Sequence, residues 1–325
     1  MEPLERARRR AVPDIKEREQ RMKDLAASIT KAASRQTYYT VRLLADSDRK
    51  TDAYRAYGYF RWVDDTLDAN AESETGPSAR RDFLARQKTL LERCYRGGPT
   101  PTVSPEERLL VDLVRRDPDG NSGLESYLRH MMAVMEFDAG RRGRLISQAE
   151  LDEYTHCLAV AVTEAVHYFI GHDDPAPRDG LRYRAVSAAH ITHMLRDTYD
   201  DLRAGYYNVP SEFLRANRIG PEAIGHPAYR AWVKSRVRLA REYFRTGSEH
   251  FRRLGNVRIR LAGFAYAARF ECVLDRIEAE GYLLRPEYPE RKSLATGWRT
   301  VRRTLAGAFG PRGAVAPADR LATAR

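Results

Sequence analysis

Twice the chain sets an arginine beside two aspartates four residues apart. The first instance is Arg61-Trp62-Val63-Asp64-Asp65-Thr66-Leu67-Asp68 and the second is Arg196-Asp197-Thr198-Tyr199-Asp200-Asp201. On a helix, positions i and i+4 share a face about 6 Å apart along the axis, so Asp64 pairs with Asp68 and Asp197 with Asp201. Like charges at that spacing destabilise a helix by roughly 0.2–0.5 kcal/mol, and a cation would compensate them. Carboxylate oxygens suit Mg²⁺, which keeps several waters and bridges one or two carboxylates to substrate phosphates. Asp64, Asp65, Asp68, Asp197, Asp200 and Asp201 are therefore the candidate metal ligands, with Arg61 and Arg196 beside them. The plainer alternative is two solvated acidic faces, ordinary in a chain that is 31% charged; it explains either cluster alone better than it explains the matched pair. His190 and His193 share a helical stripe with Asp197 and Asp201, an arrangement a transition metal could use. No Glu-x-x-His partner on another helix supports that reading.

Both clusters require helices. Proline is absent from Asp14 to Gly76, from Asp119 to Asp174, from Arg178 to Val209 and from Ala228 to Arg285. These stretches are rich in Ala, Leu, Arg and Glu, as long helices need. Val233, Val237, Ala240, Phe244, Phe251 and Leu254 step at helical spacing. Breaks are expected at residues 71–79, 96–107, 115–123, 171–180, 208–213, 218–227 and 285–290, where Gly, Pro, Asn and Asp collect. Ser104 before Pro105 reads as an N-cap with proline at the first helical position. Alternating β-branched runs and hairpin turns are missing, and no fixed-period repeat is visible. The fold class predicted is all-α.

Composition narrows the function classes. Of 325 residues, 42% are hydrophobic and 10% aromatic, enough for a sizeable core and against disorder of the bulk. Mean hydropathy is −0.61, and no run of about 18 apolar residues offers a membrane span. The start, MEPLERARRR, has no apolar segment behind its basic residues, so a cytoplasmic protein is expected. Cys94, Cys157 and Cys272 are too few and too far apart for a disulfide framework or a C-x-x-C site. The net charge of +11 suits a phosphorylated substrate, an anionic membrane or nucleic acid. No nucleic-acid-binding motif accompanies it.

The segment ASRQTYYTVRLLADSDRKTDAYRAYGYFRWVDDTLD resembles the opening of squalene/phytoene synthases. AAHITHMLRDTYDDLRAGYYNVPSEFL is similar to their second aspartate motif and the turn after it, and MMAVMEFD to their Met-rich segment ending in Asp. Tyr154, Glu164, Val273-Leu274-Asp275 and Tyr282 follow in register, so the likeness runs from about Ser28 to Leu294. It implies a single-domain isoprenoid-synthase helical bundle around a central cavity, with residues 25–290 as the catalytic domain. A charged extension (1–24) would precede it, and a basic helix with a flexible tail (291–325) would follow. It also implies Mg²⁺, with Mn²⁺ as a substitute, and farnesyl or geranylgeranyl diphosphate as substrate. Two allylic diphosphates would condense head to head, diphosphate leaving as an allylic cation forms, through a cyclopropyl diphosphate to a squalene- or phytoene-type product. NADPH use, chain length and oligomeric state are not given by it. Asp64, Asp68, Asp197, Asp201 and Tyr154 would be catalytic. Arg61, Arg196, His190, His193, Tyr38 and Arg42 would bind substrate, with Arg49 and Lys50 as further phosphate contacts. Tyr38, Tyr39, Phe60, Met135, Phe137 and Tyr154 are the candidates for an apolar pocket.

The chain departs from that family at several places. His190 and His193 stand where Gln and Asn are usual, Asn208 where Tyr precedes the turn, Phe270 for a late Tyr and Tyr206 for an Arg. Cys157, Val160 and Thr163 replace small glycines. The histidines are expected to make activity depend on pH between roughly 6 and 8. These departures motivate a second reading, a terpene synthase or cyclase ionising one prenyl diphosphate. A third is a non-enzymatic basic helical protein, which leaves the paired motifs unexplained. Over half of the surplus charge, +6, lies between Arg285 and Arg325. There Leu294, Trp298, Val301, Leu305 and Phe309 form an apolar stripe beside Arg299, Arg302 and Arg303. Peripheral contact with an anionic membrane is expected from that stripe, against a helix docked on the protein's own core.

Overall fold

In the computed structural model every regular element of the described residues, 20–69, 76–98, 102–117, 121–172 and 179–310, is helical. The tail beyond residue 310 and most of the expected N-terminal extension lie outside those residues. The helices are α1 (20–33), α2 (Arg35–Leu44), α3 (Lys50–Ala69), α4 (Gly76–Tyr95), α5 (Pro105–Val114) and α6 (Gly123–Arg141). Next come α7 (Gln148–Phe169), α8 (Arg184–Arg203), α9 (Ser211–Asn217), α10 (Pro227–Arg253), α11 (Val257–Ala279), a 3₁₀ turn (Pro289–Lys292) and α12 (Leu294–Phe309).

The proline-free stretches are not single helices. Capping side chains divide three of them: Ser34 accepts from the Thr37 N–H to start α2, Ser147 from Glu150 to start α7, and Asn256 from Arg258 to start α11. Absence of proline permits a helix, but a Ser or Asn that takes an orphan N–H fixes where the next one begins. Ser104 caps α5 as expected, in a reciprocal box with Glu107 and with Pro105 at the first helical position. The breaks expected at 71–79 and 208–213 are shorter, since α4 begins at Gly76 and α9 at Ser211. The break at 285–290 opens earlier, where Gly281 and Tyr282 take φ of 63° and 68°.

The helices gather into two compact units, Met1–His172 with Asp200–Pro221, and Asp173–Tyr199 with Glu222–Arg325. In the first, α3 packs on α2, α5, α6 and α7, and α6 lies along α7. Tyr59, Leu109, Leu110, Leu124 and Leu128 are fully buried there, each such side chain contributing about 1.5–3 kcal/mol. In the second, α11 packs on α10 and α12, over the buried stripe Val233, Val237, Ala240, Phe244, Phe251 and Leu254. Gly247 of α10 meets the start of α8 backbone to backbone, for a Cβ there would stand 2.5 Å from the Ala185 nitrogen.

Candidate active site

Helix α3 buries Tyr59, Phe60, Val63 and Leu67, which turns Asp64, Asp65 and Asp68 away from the core. Arg61 holds Asp64 at 3.1 Å and also grips Asp65. Burial first, then the charge of Asp68, lifts the Asp64 carboxyl to about 6 in spite of Arg61. Asp138 on α6 adds to that like-charge field. Its own carboxyl is raised by burial, and further by Asp68, against the pull of Arg141 and Tyr154. One unit therefore gathers Asp64, Asp68 and Asp138 into a common acidic field.

The second motif is arranged differently. Burial would raise Asp197, but the Arg196 guanidinium, bonded through Nε and Nη2 at 2.5 Å, and His193 Nε2 at 2.8 Å hold it well below the usual carboxylate range. His193 is exposed and lies edge-on to Phe270, whereas His190 is buried. Asp200 meets Arg203 at the surface. Asp201 stands near the end of α8, where Gly205 at φ 82° reverses the chain. The Gly205 N–H then bonds the Leu202 carbonyl at 3.1 Å and the Tyr206 N–H the Asp201 carbonyl at 2.7 Å, a glycine-dependent C-terminal cap. That reversal carries Tyr206 and Asn208 back beside Asp201.

Asp138 and Arg141 were not among the expected site residues, and Asn208 was marked only as a departure from the family pattern. Arg141, with a side chain only 7% exposed, bonds Asp138 Oδ1 through Nε at 2.7 Å and Asn208 Oδ1 through Nη1 at 2.8 Å. Asn208 Nδ2 in turn donates to Asp201 Oδ2 at 2.6 Å. The Tyr154 hydroxyl donates to Asp138 Oδ2 at 2.8 Å, and burial with the Asp138 charge raises that phenol well above its ordinary value. The Arg141 guanidinium faces the rings of Tyr154 and Tyr206 at 5.0 and 4.8 Å. The available signal was Asp138-x-x-Arg141, one turn apart after the Met-rich segment. In sequence, however, Arg141 opens the run RRGR, which reads as solvated charge.

Beside this network lies an apolar wall of Val134, Tyr154 and Cys157, packed by Met131, Met135, Phe137 and Leu158. Phe137 stacks on Tyr154 at 4.8 Å. Val160 and Thr163 are buried farther along α7, and Phe60 meets Tyr127 edge-on. Tyr38 stacks on Tyr54 and touches Tyr39, while Arg42 is exposed on the same short helix. Their described contacts are with one another's helices rather than with the carboxylates. Arg49 lies over the Tyr168 ring at 4.1 Å.

The donor set suits a hard divalent cation. The candidate ligands are all carboxylates, and Asp64 is raised first by burial and then by the charge of Asp68, which Arg61 does not offset. Among the described residues no three His, Cys, Asp or Glu side chains converge tightly enough to enclose a metal by themselves. Mg²⁺ shared between one or two carboxylates and substrate phosphates requires no such cage.

A family model described as squalene/phytoene synthase matches residues 30–299. The chain is 28% identical to the phytoene synthase of Thermus thermophilus, over 76% of this chain and 80% of that one. It is 24% identical to the presqualene diphosphate synthase of Zymomonas mobilis subsp. mobilis, over 87% and 88%. A crystal structure of a dehydrosqualene synthase in complex with ligand aligns with a TM-score of 0.66 at 17% identity, covering 89% of this chain and 96% of that one. At that identity the likeness speaks to fold alone.

Proposed function

The chain belongs to the squalene/phytoene synthase family, a family of prenyltransferases, and from that premise we propose that it condenses two molecules of farnesyl or geranylgeranyl diphosphate head to head with release of diphosphate. The observation that carries this reading is the family match over residues 30–299, which spans both aspartate motifs; at the first of them burial, and then the charge of Asp68, lifts the Asp64 carboxyl to about 6. Asp64, Asp68 and Asp201 would hold Mg²⁺, with Asp65, Asp197 and Asp200 adjacent in sequence. Mg²⁺, once bound, supplies the positive charge that stabilises a departing diphosphate. Arg61 and Arg196 add fixed positive charge, each beside the carboxylates of its own motif. The wall of Val134, Met135, Phe137, Tyr154 and Cys157 excludes water from an allylic cation, and its ring faces offer π-density to positive charge. The test is incubation with labelled farnesyl and geranylgeranyl diphosphate, with and without Mg²⁺. Mg²⁺-dependent release of diphosphate with a head-to-head C30 or C40 product is expected. A product built from one prenyl unit, or no turnover, would sink the reading.

The surface of α12 supports a further element of this proposal, peripheral contact with an anionic lipid surface. No helix among the described residues is long and apolar enough to cross a membrane. Yet α12 is apolar outward: Thr296, Thr304 and Ala308 are buried, while Leu294 is 91%, Trp298 75% and Phe309 62% exposed. Exposed Arg299 and Arg302 flank them, the pairing of apolar stripe and basic side chains that interfacial helices use. Co-sedimentation with vesicles containing phosphatidylglycerol should fall several-fold in a Trp298→Ser, Phe309→Ser variant. Unchanged sedimentation would reject this contact.

A further inference from the structure

We infer that Arg141 and Asn208 form a two-residue relay that positions the Asp201 carboxylate. The inference rests on the reading of Asp201 as a metal and diphosphate residue.

The chemistry of the three groups allows only one arrangement. A guanidinium has donors and no acceptor, and an ionised carboxylate has acceptors and no donor. Between them, at 2.8 Å from Arg141 Nη1 and 2.6 Å from Asp201 Oδ2, a primary amide satisfies both ends at once. Its oxygen must face Arg141 and its nitrogen must face Asp201. A flipped amide would set nitrogen against guanidinium and oxygen against carboxylate, so Arg141 dictates the side on which Asn208 presents its N–H. Asp at position 208 would repel Asp201, and Ala or Leu would leave the relay open.

Arg141 can act as a fixed reference because its remaining contacts are rigid. Asp138 takes its Nε–H, Tyr154 closes the other Asp138 oxygen at 2.8 Å, and the Tyr154 and Tyr206 rings flank the guanidinium. Asn208 is itself buried, at 8% exposure, so water competes little for the amide. The turn at Gly205 returns the chain so that Asn208 reaches Asp201 seven residues back. Arg141 thus ties a carboxylate of α6 to one at the end of α8, within the field that Asp68 exerts on Asp138 and Tyr206. A carboxylate meant to share a cation with a substrate gains from fixed rotation, because freedom retained before binding must be lost on binding.

The experiment compares the full-length chain with Asn208→Ala, Arg141→Lys and the double variant. The first readout is the rise in Tm with Mg²⁺ plus inorganic pyrophosphate. The second is the Mg²⁺ half-saturation of turnover, with kcat and KM for the prenyl diphosphate. Each single variant should require roughly tenfold more Mg²⁺ in both assays and lose more in kcat than in KM. The double variant should be no more than about twofold worse than either single one, because one relay can be broken only once. Wild-type Mg²⁺ half-saturation in Asn208→Ala, or losses that multiply in the double variant, would overturn the relay. Should Arg141→Lys fail to fold, Asn208→Ala and Asn208→Leu decide by themselves: roughly tenfold weaker Mg²⁺ half-saturation in both upholds the relay, and wild-type half-saturation in either overturns it. A wild-type chain whose Tm ignores Mg²⁺ and pyrophosphate would instead overturn the metal reading, and the relay with it.

Discussion

Asp64 and Asp197 occupy matching places in the two motifs, yet their surroundings push them in opposite directions. Asp64 is raised to about 6, chiefly by burial and Asp68. Its protonated form favours the fold below the unfolded value near 4, and that stability is lost as pH rises through about 6. Removing the charge should therefore help the fold at neutral pH. We expect Asp64→Asn to raise stability by about 1 kcal/mol at pH 8, the full shift being discounted because the side chain is 45% exposed. No gain should remain at pH 4, while turnover drops at least ~100-fold; urea melts at the two pH values check this. Asp197 is held low by Arg196 and His193 against the cost of burial. Its stability is present above the unfolded value and lost as pH falls through the folded one. Asp197→Ala should cost about 1–2 kcal/mol at pH 7, with the gap to wild type closing in acid. If both variants destabilise equally at pH 8, the electrostatic contrast between the motifs is absent.

Helices place these groups, and the caps place the helices. The i, i+4 spacing of the aspartates, the Ser104 cap and the α10 stripe were all legible because they depend on local geometry and side-chain type. The interruptions at Ser34, Ser147 and Asn256 were not. Ser and Asn are common inside surface helices too, and only packing selects which of them become caps. Gly247 is a sharper case, for nothing in its neighbours marks it as the point where α10 meets α8. A Cβ there would stand 2.5 and 2.7 Å from the Ala185 nitrogen and Cβ, so one helix must move. Gly247→Ala should lower stability by about 1–3 kcal/mol despite the better helix propensity of alanine. Equal or higher Tm in that variant would show that the crossing is looser than its geometry.

For the whole molecule, the net charge of +11 and the anionic character of prenyl diphosphates make encounter electrostatic. kcat/KM should fall several-fold between ~0.05 and ~0.5 M salt, with kcat nearly constant, as screening shortens the reach of surface charge. A salt-independent kcat/KM would assign the basic excess to another role. α12 shows how far charge and hydropathy pattern could be read. The stripe Leu294, Trp298, Val301, Leu305 and Phe309 was visible from spacing, but whether it faced a core or solvent was not. An amphipathic helix buries whichever face finds a partner, and α12 packs on α11 through threonine, glycine and alanine instead.

Features that neighbours along the chain set could be read from residue order: an all-α fold, two arginine-flanked aspartate pairs on helices, the approximate places of the breaks and the family to which they belong. Which carboxylates are compensated and which are not depends on how the helices fold together. Arg141 shows the reason most directly. In sequence it is the first of a basic run. In the fold it is a buried guanidinium joined to Asp138 three residues away and, through Asn208 sixty-seven residues away, to Asp201. The charge of a side chain is written in the residue, but its electrostatic role depends on distance and burial, and only folding sets those.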